Sequence, residues 1–169
     1  VKVHSMNNEE EKNNYGVPVR QLTQFKNLVQ RMFQCCQERM QHQCEKFEIP
    51  DAEIRCLMLF GEDRYLTAKG ISSKLNVVKS RVTKIVNGLL QKRLIQKVQD
   101  PEDSRVILLS LTSRGQARLN EINDFMFDQH AQVLAQIPSD QRGIFLNNLD
   151  MLRCCMETVN ERERQGDSR

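Results

Sequence analysis

Leu22, Phe25, Val29, Met32 and Cys36 recur at spacings of three and four, the period of one face of an α-helix. The same period continues through Met40 and Cys44 to Phe47, which predicts one long amphipathic helix with Pro18 in its first turn, where a fixed φ costs nothing. Ile49-Pro50-Asp51 breaks it, and Asp51 is expected to cap a shorter helix that turns Ile54, Leu57 and Met58 inward and stops near Gly61. Thr67 is a natural cap for a third helix over residues 68–75, with Ile71 and Leu75 four apart. After a tight turn at Asn76-Val77, residues 78–92 place Val82, Ile85, Val86, Leu89 and Leu90 on one face. Lys79, Arg81, Lys84 and Asn87 are left on the others.

Beyond residue 93 the period changes from helical to alternating. Two apolar runs within residues 94–111 flank an acidic, Pro-containing turn, the pattern of a β-hairpin with Asp103-Ser104-Arg105 at its tip. Thr112 then caps a helix through Leu119, Ile122, Met126 and Val133 to Ile137, and Pro138 ends it. A last helix is expected from Ser139-Asp140, with Phe145, Leu149, Leu152, Met156 and Val159 spaced 4-3-4-3 as in a coiled-coil seam. The polar run NNEEEKNN predicts disorder over residues 1–16, and Met6 is a candidate natural start behind residues 1–5. Residues 161–169, lacking an apolar face, are expected to fray.

Composition agrees with a mainly α chain: aromatics are 5% of 169 residues and Trp is absent. The longest apolar stretch, residues 106–111, is interrupted by Ser110 and is far too short to span a bilayer. Six cysteines without a secretory signal point to a reducing cytoplasm. The net charge of +3 becomes informative once it is located. Residues 67–105 hold nine basic side chains against three acids, whereas the rest of the chain holds 16 against 19. The basic segment is the pair of short helices plus the hairpin, an arrangement that predicts a winged helix-turn-helix and duplex DNA as its partner.

The order of long helix, short helix, helix-turn-helix, wing and two long helices resembles the MarR family of bacterial transcriptional regulators over residues 18–159. The most specific match is Asp103-Ser104-Arg105 followed by Leu111-Thr112 and Gly115, similar to the family's D-x-R wing and the LT-x-x-G after it. The family often has arginine at the Ser104 position and usually glycine at Arg93, where a left-handed backbone is cheap without Cβ. The resemblance implies an obligate homodimer built from the terminal helices, residues 17–50 and 116–160. It also implies a DNA-binding domain over residues 51–115 and a pocket between the two regions for a small lipophilic or phenolic effector.

Candidate base-contacting residues are Val78, Lys79, Ser80, Arg81 and Thr83, with Lys74 and Lys84 assigned to phosphates. Arg105 is expected beside the minor groove, oriented by a bidentate pair with Asp103. Cys35, Cys36, Cys44, Cys154 and Cys155 are either small packing residues or redox-sensitive thiols, and His42, Cys44 and His130 could cluster on a metal only through tertiary contact. Met32, Met40, Met58, Met126 and Met156 fall on apolar faces and are expected in the core or lining the effector pocket. No Gly-rich phosphate loop, GxSxG, CxxC or HExxH is present, so neither an enzyme nor a bound cofactor is expected. The expected function is that of a DNA-binding repressor on a pseudopalindromic operator, released by a small molecule or a redox signal. The alternative is a winged helix that binds proteins and no DNA.

Overall fold

The computed structural model describes residues 13–100, 103 and 105–166. The chain is mainly helical: α1 Val19–Phe47, α2 Asp51–Leu59, α3 Ala68–Leu75, α4 Lys79–Gln91, β1 Ile95–Gln99, β2 Ile107–Leu111, α5 Ser113–Ala135 and α6 Arg142–Gly166. The described residues divide into two compact units, one up to Gly115 and one from Gln116 on.

In the first unit the core gathers where α2, α3 and α4 meet. Leu57 and Cys56 of α2, Ile71 of α3, and Val82, Ile85 and Leu89 of α4 are buried there. Cys56, absent from the sequence-based core, is fully enclosed, and burial followed by the nearby Glu53 charge pushes its thiol up to about 12. The strands pair antiparallel with Ile95 opposite Leu111 and Gln99 opposite Ile107. Leu66 adds a one-residue third strand through reciprocal backbone bonds of 3.0 and 2.8 Å with Leu109, tying the hairpin to the segment before α3.

Several expectations about helix ends are corrected. Pro18 and Pro50 occupy the N-cap positions of α1 and α2, so Asp51 does not cap α2. It lies in the first turn instead, where a carboxylate still complements the helix dipole. Helix α6 begins at Arg142, later than Ser139-Asp140, because the corner is closed by the Arg142 Nε donating to the Leu134 and Ile137 carbonyls at 3.0 Å each. Residues 161–166 are helical where fraying was expected; Glu, Arg and Gln are strong helix formers even without an apolar face. Residues 13–16 form an ordered turn in which Asn13 Oδ1 accepts from the backbone of Tyr15 and Val17 at 3.0 and 2.9 Å. The rest of the segment expected to be disordered, residues 1–12, lies outside the described residues, as do residues 167–169.

The terminal helices contrast with this core. In α1 only Gln43 and Phe47, at its end, are buried, while Leu22, Phe25, Leu28 and Phe33 are exposed. In the second unit Leu119 and Ile122 of α5 are buried, but Phe145, Leu149, Met156 and Val159 of α6 are not. Met32, Met40 and Met156, expected in the core, are likewise exposed in the single chain.

Candidate nucleic-acid interface

The helix-turn-helix is set by a left-handed residue. Asn76, at φ 52° and ψ 50°, ends α3; asparagine visits this region more readily than most side chains. The turn is then closed twice, by Val77 N donating to the Ser72 carbonyl at 3.1 Å and by the Ser72 hydroxyl donating to the Val77 carbonyl at 2.7 Å. Thr67 caps the start of α3, its Oγ1 accepting from Gly70 N at 3.1 Å.

This turn aims the front of α4 outward. Val78 holds the N-cap position and is 70% exposed, a large apolar side chain left in water at the tip of the helix. Lys79, Ser80, Arg81, Thr83 and Lys84 are all exposed, while the opposite face is sealed by Val82, Ile85, Val86 and Leu89. Among the described residues Lys79, Arg81 and Lys84 take part in no ion pair, so three cations stand available to an anionic partner. The Thr83 hydroxyl donates to the Lys79 carbonyl at 3.2 Å, leaving its oxygen only as an acceptor outward.

Lys74 is placed differently from expectation. Its Nζ lies 2.9 Å from Asp63 and 3.3 Å from Glu62, and those hydrogen bonds, Asp63 first, raise its pKa. Its charge is already met by two acids, which weakens its assignment to a phosphate.

At the wing, Arg105 N donates to Asp103 Oδ1 at 3.0 Å and Arg105 Nε reaches the same oxygen at 3.4 Å. A bidentate pair does not form, because the one oxygen serves both the backbone turn and the guanidinium. Val106 N closes the turn on the Asp103 carbonyl at 2.9 Å. The Arg105 side chain remains 92% exposed, so Asp103 shapes the tip more than it restrains the arginine. Ser104 lies outside the described residues.

The far end of α4 carries the strain that the sequence announces. Arg93 has φ 57°. Its carbonyl accepts the Thr112 hydroxyl at 2.7 Å, and the same Thr112 oxygen accepts from Gly115 N at 2.9 Å, so one side chain caps α5 and fastens the left-handed turn. Gly115 is required at this joint, since a Cβ would collide with the Leu94 carbonyl oxygen.

Two residues missed in the sequence lie behind the reading face. Glu53 of α2 is buried, pairs with Lys92 Nζ at 2.9 Å, and packs on Gly88 of α4, where a Cβ would meet its carboxylate. A glycine inside an otherwise regular helix was the available signal. Glu53, Arg81 and Lys84 also line one cleft of about 350 Å³, walled by Pro50, Ala52 and Val78.

The thiols divide by surroundings. Cys35, Cys36, Cys154 and Cys155 are exposed, whereas Cys44 is half-buried and burial, then Asp51, raises its pKa, disfavouring the reactive thiolate. Among the described residues no three His, Cys, Asp or Glu side chains converge as a metal site. No helix there is long and apolar enough to cross a membrane.

Residues 49–107, the span from the start of α2 to the wing, match the MarR family model. That segment is similar to the winged helix of the MarR family. The HTH-type transcriptional repressor YetL of Bacillus subtilis is 24% identical over 112 residues, covering 65% of this chain and 67% of that protein. The repressor MdtR of the same organism is 32% identical over 94 residues, 56% of this chain and 61% of the relative, so this chain spans less than two thirds of MdtR. A MarR family protein from Bacillus stearothermophilus shares the fold with a TM-score of 0.74 at 19% identity, over 83% of this chain and 99% of that one. Both Bacillus subtilis relatives are named transcriptional repressors.

Proposed function

We propose that this chain is a repressor that binds a pseudopalindromic operator as a homodimer in the cytoplasm and is released by a small-molecule or redox signal. The observation that carries the reading is the front of α4, where Lys79, Arg81 and Lys84 are exposed and outside any described ion pair, one hairpin away from the exposed Arg105. A helix with such a front fits the major groove. There Arg81 can donate to guanine O6 and N7, Ser80 and Thr83 can meet other base edges, and Val78 can pack on a thymine methyl. Lys79 joins Arg81 at the base edges, Lys84 holds a phosphate, and Arg105 reaches the adjacent minor groove.

Dimerisation is supported by the 4-3-4-3 seam of α6, where Phe145, Leu149, Met156 and Val159 are exposed in the single chain. Two recognition helices related by a two-fold axis would sit about 34 Å apart, one turn of duplex. YetL and MdtR are named repressors, which favours repression over activation here. A small lipophilic or phenolic effector would act by binding the reading geometry more weakly than another state, lowering DNA affinity by the same coupling factor. The exposed Cys35, Cys36, Cys154 and Cys155 are the better thiol candidates for a redox input.

A salt titration of binding to duplex DNA tests the reading. Six or more phosphate contacts weaken affinity by about a thousandfold or more between 50 and 200 mM salt. A flat response would contradict DNA binding through this face.

A further inference from the structure

Positions 81, 84 and 88 of α4 and position 92 at its C-cap fall along one side of the helix, at successive spacings of three and four. Two of them carry cations assigned to DNA, one is a glycine, and the last is Lys92. Facing this side is Glu53, which packs on Gly88, is ion-paired with Lys92 at 2.9 Å, and shares the walls of the 350 Å³ cleft with Arg81 and Lys84.

We propose that Lys92 is a positioning residue that holds the Glu53 carboxylate at the rear of α4 and so keeps it from capturing Arg81 and Lys84. The proposal rests on the DNA-binding reading above. A buried carboxylate seeks a cation, because leaving its charge unpaired in a low-dielectric setting is costly. Three cations lie along the side of α4 beside Glu53. Lys92 is the one behind Gly88, and the missing side chain at Gly88 is what lets the carboxylate lie close to the helix and reach it. With Lys92 satisfied in this way, Arg81 and Lys84 stay extended into solvent. Without it, the flexible Lys84 and Arg81 side chains are the remaining partners within the same cleft, and each one drawn inward is a cation withdrawn from DNA.

The test is a double-mutant cycle read by the salt dependence of DNA binding. Lys92→Met, and Lys92→Gln as a polar variant that removes the charge while keeping a hydrogen-bond donor, are expected to lower affinity about tenfold. Both should also reduce the log–log salt slope by about 0.9 for each phosphate that a withdrawn cation leaves unneutralised. Adding Glu53→Gln to either variant removes the capturing charge and should return the slope to the wild-type value, and Lys92→Arg should keep it throughout.

If Lys92 itself contacts DNA, the slope stays reduced in the double variant, and the proposal fails. It also fails if the folded single variants, checked by thermal melting, retain the wild-type slope. A flat slope in the wild-type chain would instead remove the underlying DNA-binding reading. A steep wild-type slope with unaltered Lys92 variants removes only this inference.

Discussion

The helix-turn-helix and the terminal helices are equally apolar in pattern and differ in what covers them. Ile71, Val82, Ile85 and Leu89 disappear into the core where α2, α3 and α4 meet. Leu22, Phe25 and Met32 of α1, and Phe145, Leu149, Met156 and Val159 of α6, keep the same periodicity and remain in water. A reader that completes its own core can hold a fixed geometry on its own. Apolar helix faces left without cover support the proposed homodimer, in which a second copy would supply matching faces by symmetry.

The sharpest way to break this contrast is to charge the uncovered seam. Leu149→Glu is expected to turn the proposed dimer into a monomer and lower operator affinity by more than about a hundredfold, because two linked half-sites become independent. Sedimentation equilibrium and a binding titration check it; a fully dimeric variant would place the interface elsewhere. Leu89→Glu, at the same helical period inside the reader, should unfold residues 51–115 rather than dissociate anything, since an unpaired charge would enter the core.

Next in size is the joint at the end of α4. Gly115→Ala should cost about 3 kcal/mol, because the added methyl meets a backbone carbonyl that cannot rotate away. Urea denaturation measures this, and an unchanged midpoint would mean that the turn at Leu94 is slack. Within the reader, Arg81→Ala should relax base preference by about 1 to 3 kcal/mol, whereas Arg105→Ala should weaken binding evenly across sequences. Competition between operator and single-base variants separates the two effects.

The smallest effect concerns Arg93. Its left-handed backbone costs about 1 kcal/mol, partly offset by the entropy that glycine gives up, so Arg93→Gly should stabilise the fold by about 0.5 kcal/mol. A loss of stability would show that the Arg93 side chain contributes more than its backbone costs.

Much of this was legible in the sequence where periodicity meets a cap. Thr67, Asn76 and Thr112 carry local chemistry that marks helix ends, and alternation located both strands. The wing tip was legible in composition and misjudged in geometry: Asp103 supplies one oxygen to both the backbone and Arg105, which spacing alone cannot reveal. Lys74 looked available because Glu62 and Asp63 lie a dozen residues away, and long-range pairing leaves no mark in a local pattern. Glu53 with Lys92, and buried Cys56, escaped for the same reason. The faces of α1 and α6 were legible as apolar from their spacing, and periodicity identifies a face without identifying its cover.

Selection of bound sequences from a random duplex pool tests the central claim most directly. The expected product is an inverted repeat whose half-sites are centred about one helical turn, roughly 10 base pairs, apart, each carrying a guanine that Arg81→Ala ceases to prefer. Recovery of no enriched sequence, or of a lone half-site bound as tightly as the repeat, would contradict it.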